Sequence, residues 1–341
     1  RLPGFFSEKI GVPVYPFESP NFLPSAKNKQ VNLVRSVAYN LFRLHKYLSS
    51  IRYINRMIKE TRADVVVNFY ELLTGLTYLF CHPKALMVCI AHQYLFLHPD
   101  FVFPGQNRLS LVSLKFFTRM TAIGATKKLA LSFRKMREVP SERIVVVPPL
   151  LRKEVLETTP VNGDYLHGYL LNSGFSEEIR SWHKVHPNVA LHIFWDKKEV
   201  RPEVKVDSFL SFHQLNDTLF IRYMAGAKAY ATTAGFESVC EAMYLGKPVL
   251  MVPTHIEQSC NAFDAVQAGA GVVADRFDLD ALLELSRTHR PNPAFSHWVK
   301  QADWLILREF RPDLLMEETP ASLWRRLSTR WIYRLGKTLS I

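Results

Sequence analysis

Small and polar residues in one stretch of the chain, 231–262, have the types and spacing of an anion-binding site. The stretch reads ATTAGFESVCEAMYLGKPVLMVPTHIEQSCNA. Its pattern predicts a buried strand over 227–232, a tight turn at Gly235, a helix over 236–245 and a second strand over 249–252. A helix that begins directly after a strand points its free N–H groups and the positive end of its dipole at the strand's carboxyl edge. This arrangement favours a bound phosphate.

Hydroxyl and carboxylate groups around this turn suit a ligand that carries a phosphate and a vicinal diol. Thr232, Thr233 and Ser238 place hydroxyl donors beside the expected phosphate position. Glu237 and Glu241 are four residues apart and therefore share one face of the helix. A carboxylate one turn into the helix can accept two hydrogen bonds from a vicinal diol such as that of ribose. For any one of these residues alone, a solvated carboxylate or an ordinary turn is the alternative.

Two further turns carry polar side chains of the same kind. Glu257 and Gln258 follow the second strand and offer acceptors and an amide donor to sugar hydroxyls. A second strand–turn–helix pattern has Asn172, Ser173 and Gly174 in its turn. A small polar turn between a strand and a helix is again typical of a phosphate site.

His92 is the candidate general base. It directly follows a predicted strand over 85–91 and opens the aromatic segment HQYLFLHPDFVFPG, which ends at Gly105. In α/β proteins, loops at the carboxyl ends of strands bind ligands, and an imidazole there can take a proton from a hydroxyl group. A histidine with a purely structural role is the alternative.

The stretch around Gly235 resembles the donor-binding segment of GT-B glycosyltransferases of the UDP-glycosyltransferase type. It is also similar to that of the bacterial enzymes that add N-acetylglucosamine to the lipid-linked peptidoglycan precursor. The residues that match the family pattern are Gly235, Ser238, Glu241, Ala242, Gly246, Pro248, Pro253, Glu257, Gln258, Asn261 and Ala262. Thr233 stands where many eukaryotic members have a phosphate-binding histidine.

The resemblance implies a role for the matching residues. Gly235 and Ser238 would lie at the diphosphate, and Glu241 would hold the ribose. Glu257 and Gln258 would hold the donor sugar. An aromatic ring stacks on the nucleobase in the family, and Phe212 takes roughly that place. The expected nucleotide-sugar site also includes Asn172, Ser173, Gly174, Thr233, Phe236 and Asn261.

From the same resemblance we expect a glycosyltransferase of the hexosyl type, which moves a sugar from a nucleotide-sugar to an acceptor hydroxyl. We expect the nucleotide-sugar to be UDP-linked. Inversion is expected, because retaining relatives have a glutamate where this chain has Thr233. No metal and no cofactor are expected, because helix N–H groups and hydroxyls can stabilise the departing diphosphate. The alternatives are a nucleotide-sugar 2-epimerase of the same fold and a non-catalytic nucleotide-sugar-binding protein.

Length and composition indicate two α/β domains. The chain has 341 residues, of which 48% are apolar and 22% charged, and this is enough for sizeable cores. Apolar runs between helical patterns predict parallel sheets. With the resemblance, they predict a GT-B-like fold of two doubly wound, Rossmann-like domains that face a central cleft. We expect an acceptor domain over 1–151, a donor domain over 152–311 and a basic tail over 312–341. The first strand and Gly-rich loop of such a domain are not visible after Arg1, and we expect them to be missing from this chain. By the resemblance, the missing piece often carries a catalytic histidine, which is the alternative to His92 as the base.

The charge balance predicts anionic partners. The net charge of +12 suits nucleotides, nucleic acid or an acidic membrane, but the chain lacks a clustered basic and aromatic motif for nucleic acid. Basic and apolar residues are mixed over 27–62, 109–119 and 322–337. We expect these segments to meet a lipid-linked or cell-envelope acceptor and the surface of an anionic membrane; core packing or solvated basic faces are the alternative. The expected location is cytoplasmic, with the inner face of the membrane as the place of any contact.

The remaining patterns predict regular structure away from the site. They indicate strands over 11–17 and 205–209, a loop over 212–217 and a long helix over 293–310 that crosses back to the first domain. The four cysteines have no metal or redox spacing, and we expect reduced thiols. No apolar run reaches the length of a membrane-spanning helix.

Overall fold

The computed structural model describes residues 11–20, 33–105, 108–171, 173–197, 201–311 and 315. These residues form two sheets with helices around them. Asn172 and the basic tail segment over 322–337 lie outside the described residues. Their predicted roles therefore stay predictions.

A four-stranded parallel sheet forms the first half of the fold. Its strands, in spatial order, are β1 (Val65–Asn68), β2 (Leu86–Ala91), β3 (Lys127–Leu131) and β4 (Ile144–Val147). Helices α1 (Leu33–Phe42) and α2 (Leu44–Glu60) precede it, and α3 (Leu72–Cys81) and α4 (Arg108–Thr121) link its first three strands. Consecutive residues of β2 and β4 are buried. Both faces of the sheet are therefore covered, as the apolar runs predict.

A seven-stranded sheet forms the second half. Its strands in chain order are β5 (Tyr165–Leu170), β6 (Ala190–Trp195), β7 (Glu203–Lys205), β8 (Leu210–Gln214), β9 (Ala229–Thr232), β10 (Val249–Met251) and β11 (Gly271–Val273). Their spatial order is β11-β10-β9-β5-β6-β8-β7. All neighbours are parallel except β7, which is antiparallel to β8. 

Helices connect and cover these strands. They are α5 (Lys153–Glu157), α6 (Ser176–Val185), α7 (Asp217–Gly226), α8 (Phe236–Tyr244), α9 (Ile256–Gln267), α10 (Leu279–Thr288), α11 (Pro293–Val299) and α12 (Ala302–Arg308). Short 3-10 helices span His92–Leu97, Pro140–Glu142 and Ser173–Phe175.

The direction of strand addition reverses between β5 and β9. From β5 the chain continues outward through β6 and β8, and α7 returns it to β9 on the other side of β5. The chain then adds β10 and β11 in that direction. In open α/β sheets, ligands bind outside the carboxyl ends of the strands at such a reversal. The fold therefore places its ligand edge at the ends of β5 and β9.

Apolar side chains join the two halves of the fold. Phe133, just after β3, and Phe236, at the start of α8, belong to one core cluster, and their ring centroids lie 4.8 Å apart. On α11, Trp298 donates its indole N–H to the carbonyl of Ser132 at 3.0 Å. The predicted crossing of a C-terminal helix back to the first half is thus confirmed. The expected boundary between residues 151 and 152 stays a prediction.

Some predicted elements are wrong. Residues 11–17 form no strand, and among the described residues none pairs with them in a sheet. Residues 212–214 belong to β8 rather than to a loop. The region 293–310 contains two helices, because Gln301 bonds back to the carbonyl of Trp298 in a tighter turn.

The predicted strand over 205–209 is also wrong, and Asp207 explains why. Its Oδ1 accepts the backbone N–H groups of Phe209 and Leu210 at 2.8 and 2.9 Å. A side chain that bonds the backbone in this way favours a turn over an extended strand. The chain therefore bends between β7 and β8.

Two general features of the chain concern membranes and thiols. Among the described helices, none combines the length and apolarity that crossing a bilayer requires. The four cysteines are unpaired, and three of them are buried.

Candidate functional site at the strand edge

Three helix N-termini meet at one edge of the second sheet. Strands β5, β9 and β10 are parallel neighbours, so their carboxyl ends lie side by side. Helices α6, α8 and α9 begin within a few residues of these ends. Their free N–H groups and positive dipole ends therefore converge on one edge, which is suited to an anion.

The turn after β9 has a different backbone from the predicted one. Gly235 has an ordinary φ of −65°, and Ala234 takes the left-handed conformation with φ of 65°. A Cβ atom on Gly235 would meet only the Ser238 hydroxyl, at 3.6 Å. The turn itself therefore does not require glycine at 235, although a bare backbone there leaves room for a ligand.

The hydroxyl residues of this turn differ in their access to solvent. Thr232 and Thr233 are buried at the end of β9. Ser238 is partly buried, and its hydroxyl donates to the carbonyl of Gly235 at 3.2 Å. Ser238 is thus the hydroxyl of this set that is partly accessible at the start of α8.

Glu241 is buried and paired with an arginine. The Arg152 guanidinium donates to both carboxylate oxygens of Glu241, from Nε at 2.6 Å and from Nη2 at 2.7 Å. Its Nη1 lies 3.5 Å from Asp217 at the start of α7. Burial raises the pKa of Glu241 above its usual value, and the guanidinium of Arg152 opposes that shift.

Arg152 is the site residue that sequence reasoning missed. It lies 89 residues before Glu241, at the predicted domain boundary, where a lone arginine gives no local signal. Its side chain also lines a cavity of about 550 Å³ beside α7, together with Thr158, Asp217 and Arg222. None of the predicted site residues lines this cavity.

His92 meets the second half of the fold through Glu257. The imidazole Nε2 lies 3.2 Å from Oε1 of Glu257, and Gln93 donates its amide to the same oxygen at 3.0 Å. The ring of His92 stacks on Phe236 with centroids 4.5 Å apart and planes 9° apart. The candidate base therefore lies against the predicted donor site.

Glu257 is ionised more readily than a free glutamate. Burial works to raise its pKa, but the hydrogen bonds and charges of His92, His255 and Gln93 together outweigh burial and lower the pKa below its usual value. A carboxylate at the N-terminal turn of α9 is also favoured by the helix dipole.

The neighbours of Glu257 on α9 have a different environment. The side-chain oxygen of Gln258 accepts the backbone N–H of Thr254 at 2.9 Å and its hydroxyl at 2.8 Å. Gln258 and Asn261 are both buried. Gln258 therefore fixes the loop before α9 in this structure, which is a structural role that the sequence did not predict.

The structure contradicts the prediction that Phe212 stacks on a nucleobase. Phe212 lies in β8, is fully buried, and stacks on Trp195 with ring centroids 4.4 Å apart. The guanidinium of Arg180 lies 4.8 Å from the same ring. Phe212 therefore presents no free face to a ligand.

The edge brings most of the other predicted residues together. Ser173 and Gly174 are partly buried in the 3-10 helix after β5, beside the turn after β9 that holds Thr233, Gly235 and Phe236. In the part of the chain that the structure describes, no group of three or more His, Cys, Asp or Glu side chains could hold a metal ion.

The four-stranded and seven-stranded sheets, with their helices, form two halves that meet at this strand edge. This is the GT-B architecture. The chain matches glycosyl transferase family 1 over residues 21–285, and it belongs to that family. 

One named relative and two solved structures are similar to this chain. A segment of 111 residues is 30% identical to the putative UDP-glucuronosyltransferase ugt-48 of Caenorhabditis elegans. That segment is 31% of this chain and 19% of the relative, so the match spans about a fifth of the nematode protein. Among solved structures, the glycotransferase of kitacinnamycin is similar with a TM-score of 0.55 and 16% identity, over 92% of this chain and 85% of that one. LpCGTa in complex with UDP is similar with a TM-score of 0.50 and 13% identity, over 86% and 82%. These structures share the GT-B fold.

Proposed function

We propose that this protein transfers a hexosyl group from a UDP-sugar to an acceptor hydroxyl, with inversion and without a metal ion. The observation that carries the proposal is the convergence of three helix N-termini and two carboxylates, Glu241 and Glu257, on one sheet edge that faces His92. The relatives add support, because one is named a UDP-glucuronosyltransferase and one was solved with UDP.

The diphosphate would bind at the start of α8. Backbone N–H groups after Gly235 and the hydroxyl of Ser238 are the donors available there. These dipoles would also stabilise the negative charge that develops on the leaving UDP, which is the task that a metal ion performs in other transferases.

The ribose would bind beside the Glu241–Arg152 pair. Each carboxylate oxygen of Glu241 already accepts one hydrogen bond from Arg152. A carboxylate oxygen can accept a second. Glu241 can therefore accept from a ribose diol while Arg152 keeps it charged and in place.

His92 would remove the proton of the acceptor hydroxyl. Attack of that oxygen on the anomeric carbon from the side opposite to UDP inverts the configuration. The proton passes to the imidazole, and the bonding electrons of the anomeric C–O bond leave with UDP. The aromatic rings of Phe236 and Phe96 hold the imidazole in place.

The acceptor would be lipid-linked or part of a cell-envelope glycan, reached from the cytoplasmic face of the membrane. Leu109, Val112 and Phe116 share one face of α4 and are exposed by 72%, 54% and 52%. Lys115 lies beside them, with its ammonium 4.2 Å from the ring centre of Phe103. Exposed apolar side chains next to a cation suit an anionic membrane surface.

Calorimetric titration of UDP tests the donor site. We expect micromolar binding by the wild-type chain, at least tenfold weaker binding of 2′-deoxy-UDP, and loss of that preference in Glu241→Gln. Glu237→Gln is the matched control, because Glu237 lies on the same helix but is exposed. Failure of the folded wild-type chain to bind UDP or any UDP-sugar would contradict the proposal.

Transfer itself requires a separate test. The chain is incubated with the UDP-sugar that binds most tightly and with polyprenyl-linked glycan acceptors in anionic vesicles, with and without EDTA. We expect a product of inverted anomeric configuration in both conditions. A retained configuration would overturn the proposed inversion. A strict requirement for a divalent cation would overturn the proposed metal-independent mechanism.

A further inference from the structure

The carboxylate of Glu257 divides its two oxygens between different neighbours. Oε1 contacts both Nε2 of His92 and the amide of Gln93, at 3.2 and 3.0 Å. Among the described residues, no hydrogen bond reaches Oε2. The side chain of Glu257 is 28% exposed. Oε1 is therefore committed to the first half of the fold, whereas Oε2 has no hydrogen-bond partner among the described residues and belongs to a partly exposed side chain.

The two residues of this contact come from opposite halves of the fold. His92 directly follows β2, and Glu257 is the second residue of α9. They are 165 residues apart in the chain. The orientation of the imidazole thus depends on a residue that the other half of the fold supplies.

We propose that Glu257 is a positioning residue that couples the donor sugar to the base: Oε1 holds His92 in its Nε2–H tautomer, and Oε2 accepts a hydroxyl of the donor sugar. This inference rests on the proposed function and adds to it. Because an imidazole that donates from Nε2 has its lone pair on Nδ1, Nδ1 is the atom that receives the proton of the acceptor hydroxyl. Gln93 completes the arrangement by occupying the second position at Oε1.

The coupling has a consequence for the order of events. The imidazole is oriented only while α9 lies against the end of β2. A donor sugar bound to Oε2 fixes the same carboxylate from the other side. The imidazole of His92 is therefore oriented for proton transfer when the donor sugar is bound. An acceptor is less readily deprotonated when no donor is present.

Three other titratable groups lie near the pair His92 and Glu257. His255, Tyr70 and Cys260 lie close enough to Glu257 to interact with its charge. The hydroxyl of Tyr70 is engaged by Thr118 at 2.9 Å. Since the tautomer of His92 depends on direct contact with Oε1, removal of these groups should leave it unchanged.

The first test reads the tautomer directly. The full chain is labelled with ¹⁵N-histidine, and long-range ¹H–¹⁵N spectra distinguish the two neutral tautomers at pH 8; the His92→Gln variant assigns the signal among the twelve histidines. We expect the Nε2–H form in the wild type and in Glu257→Gln, which keeps an acceptor. Glu257→Ala should lose most of that preference. Glu237→Ala is the matched control, because Glu237 is also the second residue of its helix but is exposed.

The second test reads the coupling. UDP-glucose, UDP-N-acetylglucosamine and UDP-glucuronate are titrated, and the tightest ligand is compared with UDP. We expect Glu257→Ala to bind UDP within twofold of the wild type and to lose about tenfold in affinity for the UDP-sugar. The His92 signal should shift with the UDP-sugar and stay within error with UDP.

The possible results separate this inference from the proposed function. An Nδ1–H tautomer in the wild type, or a tautomer that Glu257→Ala leaves unchanged, overturns the inference even where UDP binds. Equal loss of UDP and UDP-sugar affinity in Glu257→Ala also overturns it, because the carboxylate would then act on the nucleotide. Absence of all UDP binding contradicts the proposed function and with it the donor half of the coupling, while the tautomer still decides the contact between Glu257 and His92.

Discussion

The guanidinium of Arg152 binds both carboxylate oxygens of Glu241, at 2.6 and 2.7 Å, and thereby ties the segment after β4 to the middle of α8. The two side chains differ in exposure: that of Glu241 is 5% exposed and that of Arg152 is 34% exposed. Removal of Arg152 leaves a buried carboxylate without its partner, whereas removal of Glu241 leaves Arg152 near Asp217 and partly exposed to solvent. The pair is therefore expected to respond asymmetrically to mutation.

The Arg152→Ala variant should be less stable than Glu241→Ala. A buried carboxylate without its partner costs several kcal/mol, and we expect a loss of about 3 kcal/mol in the free energy of unfolding. Loss of Glu241 should cost about 1 kcal/mol, because Arg152 can still reach Asp217 and solvent. Urea unfolding of both variants and of the double variant at pH 7.5 measures this. Equal costs for the two single variants would contradict the asymmetry.

The pH dependence of Arg152→Ala gives a second check on the same pair. Burial raises the pKa of Glu241, so the folded state holds its proton more tightly than the unfolded state does. Stability from such a group is present below the unfolded pKa and falls as pH rises through the folded one. Without Arg152 to oppose the shift, this fall between pH 4.5 and neutrality should be steeper than in the wild type.

Gly235→Ala should affect binding without affecting folding. Its φ of −65° suits alanine, and the new Cβ would meet only Ser238 Oγ at 3.6 Å. We expect a change in unfolding free energy within about 0.5 kcal/mol. We also expect at least tenfold weaker UDP binding in calorimetry, because the methyl group would stand between the backbone and the diphosphate. Unchanged UDP affinity would place the phosphate elsewhere.

Gly271→Ala is the contrasting case at a glycine that the fold requires. Gly271 has φ of 153°, and a Cβ there would lie 2.0 Å from the carbonyl oxygen of Val249 on the neighbouring strand. Since backbone cannot move aside as a flexible side chain can, we expect a loss of about 3 kcal/mol or more. A melting temperature close to that of the wild type would show that β11 can shift from β10.

Phe212→Leu should weaken the fold and leave the donor site intact. The ring of Phe212 packs against Trp195 in the core of the second half. Replacement of the buried ring by the smaller leucine costs about 1–2 kcal/mol, while stacking of a base on an aromatic ring is worth about 1–3 kcal/mol. UDP affinity within twofold of the wild type is therefore expected in calorimetry. A tenfold loss in a stably folded variant would restore the role in base stacking that the sequence suggested.

The contrast between Gly235 and Phe212 shows what the sequence could predict. Buried apolar runs that end in small polar turns locate strands and helix starts, because burial and turn formation act over a few residues. The family pattern then singled out the edge around Gly235. The predicted base-stacking role of Phe212 is wrong, because the position of this residue depends on where β8 begins. Strand β8 begins at Leu210, directly after a turn in which Oδ1 of Asp207 accepts the backbone N–H groups of Phe209 and Leu210.

Contacts between residues that are far apart in the chain could not be predicted, for a different reason. Arg152 and Glu241 are 89 residues apart, and His92 and Glu257 are 165 apart. Local patterns carry no information on which of the many charged residues will meet, since that depends on how the two sheets pack. His92 and Glu257 could each be proposed from a strand end, but their contact could not.

A buried histidine in the second sheet should make the protein sensitive to acid. His167 lies in β5 and is fully buried; its Nδ1 lies 3.2 Å from the carbonyl of His192. Its Nε2 has no hydrogen-bond partner among the described residues. A second proton at Nε2 would therefore be buried without an acceptor, and burial lowers the pKa of His167 from 6.5 to about 3.

The sign of the effect follows from the bound protons. Below pH 6.5 the unfolded chain binds a proton at His167, whereas the folded chain binds it only near pH 3. Stability therefore falls as pH falls through this window, by about 2 kcal/mol at pH 5 from this group alone. His167→Phe, whose ring would lie among Phe194, Phe220 and Tyr230, should remove that part of the slope.

Urea unfolding at pH 7.5, 6 and 5 measures this slope in the wild type, in His167→Phe and in the control His297→Phe, in which an exposed imidazole is replaced. We expect His167→Phe to be less stable than the wild type at pH 7.5, because the bond to the His192 carbonyl is lost, and to approach or exceed it at pH 5. The control should keep the wild-type slope. Parallel curves for the wild type and His167→Phe would show that His167 is charged in the folded protein or stays neutral in both states.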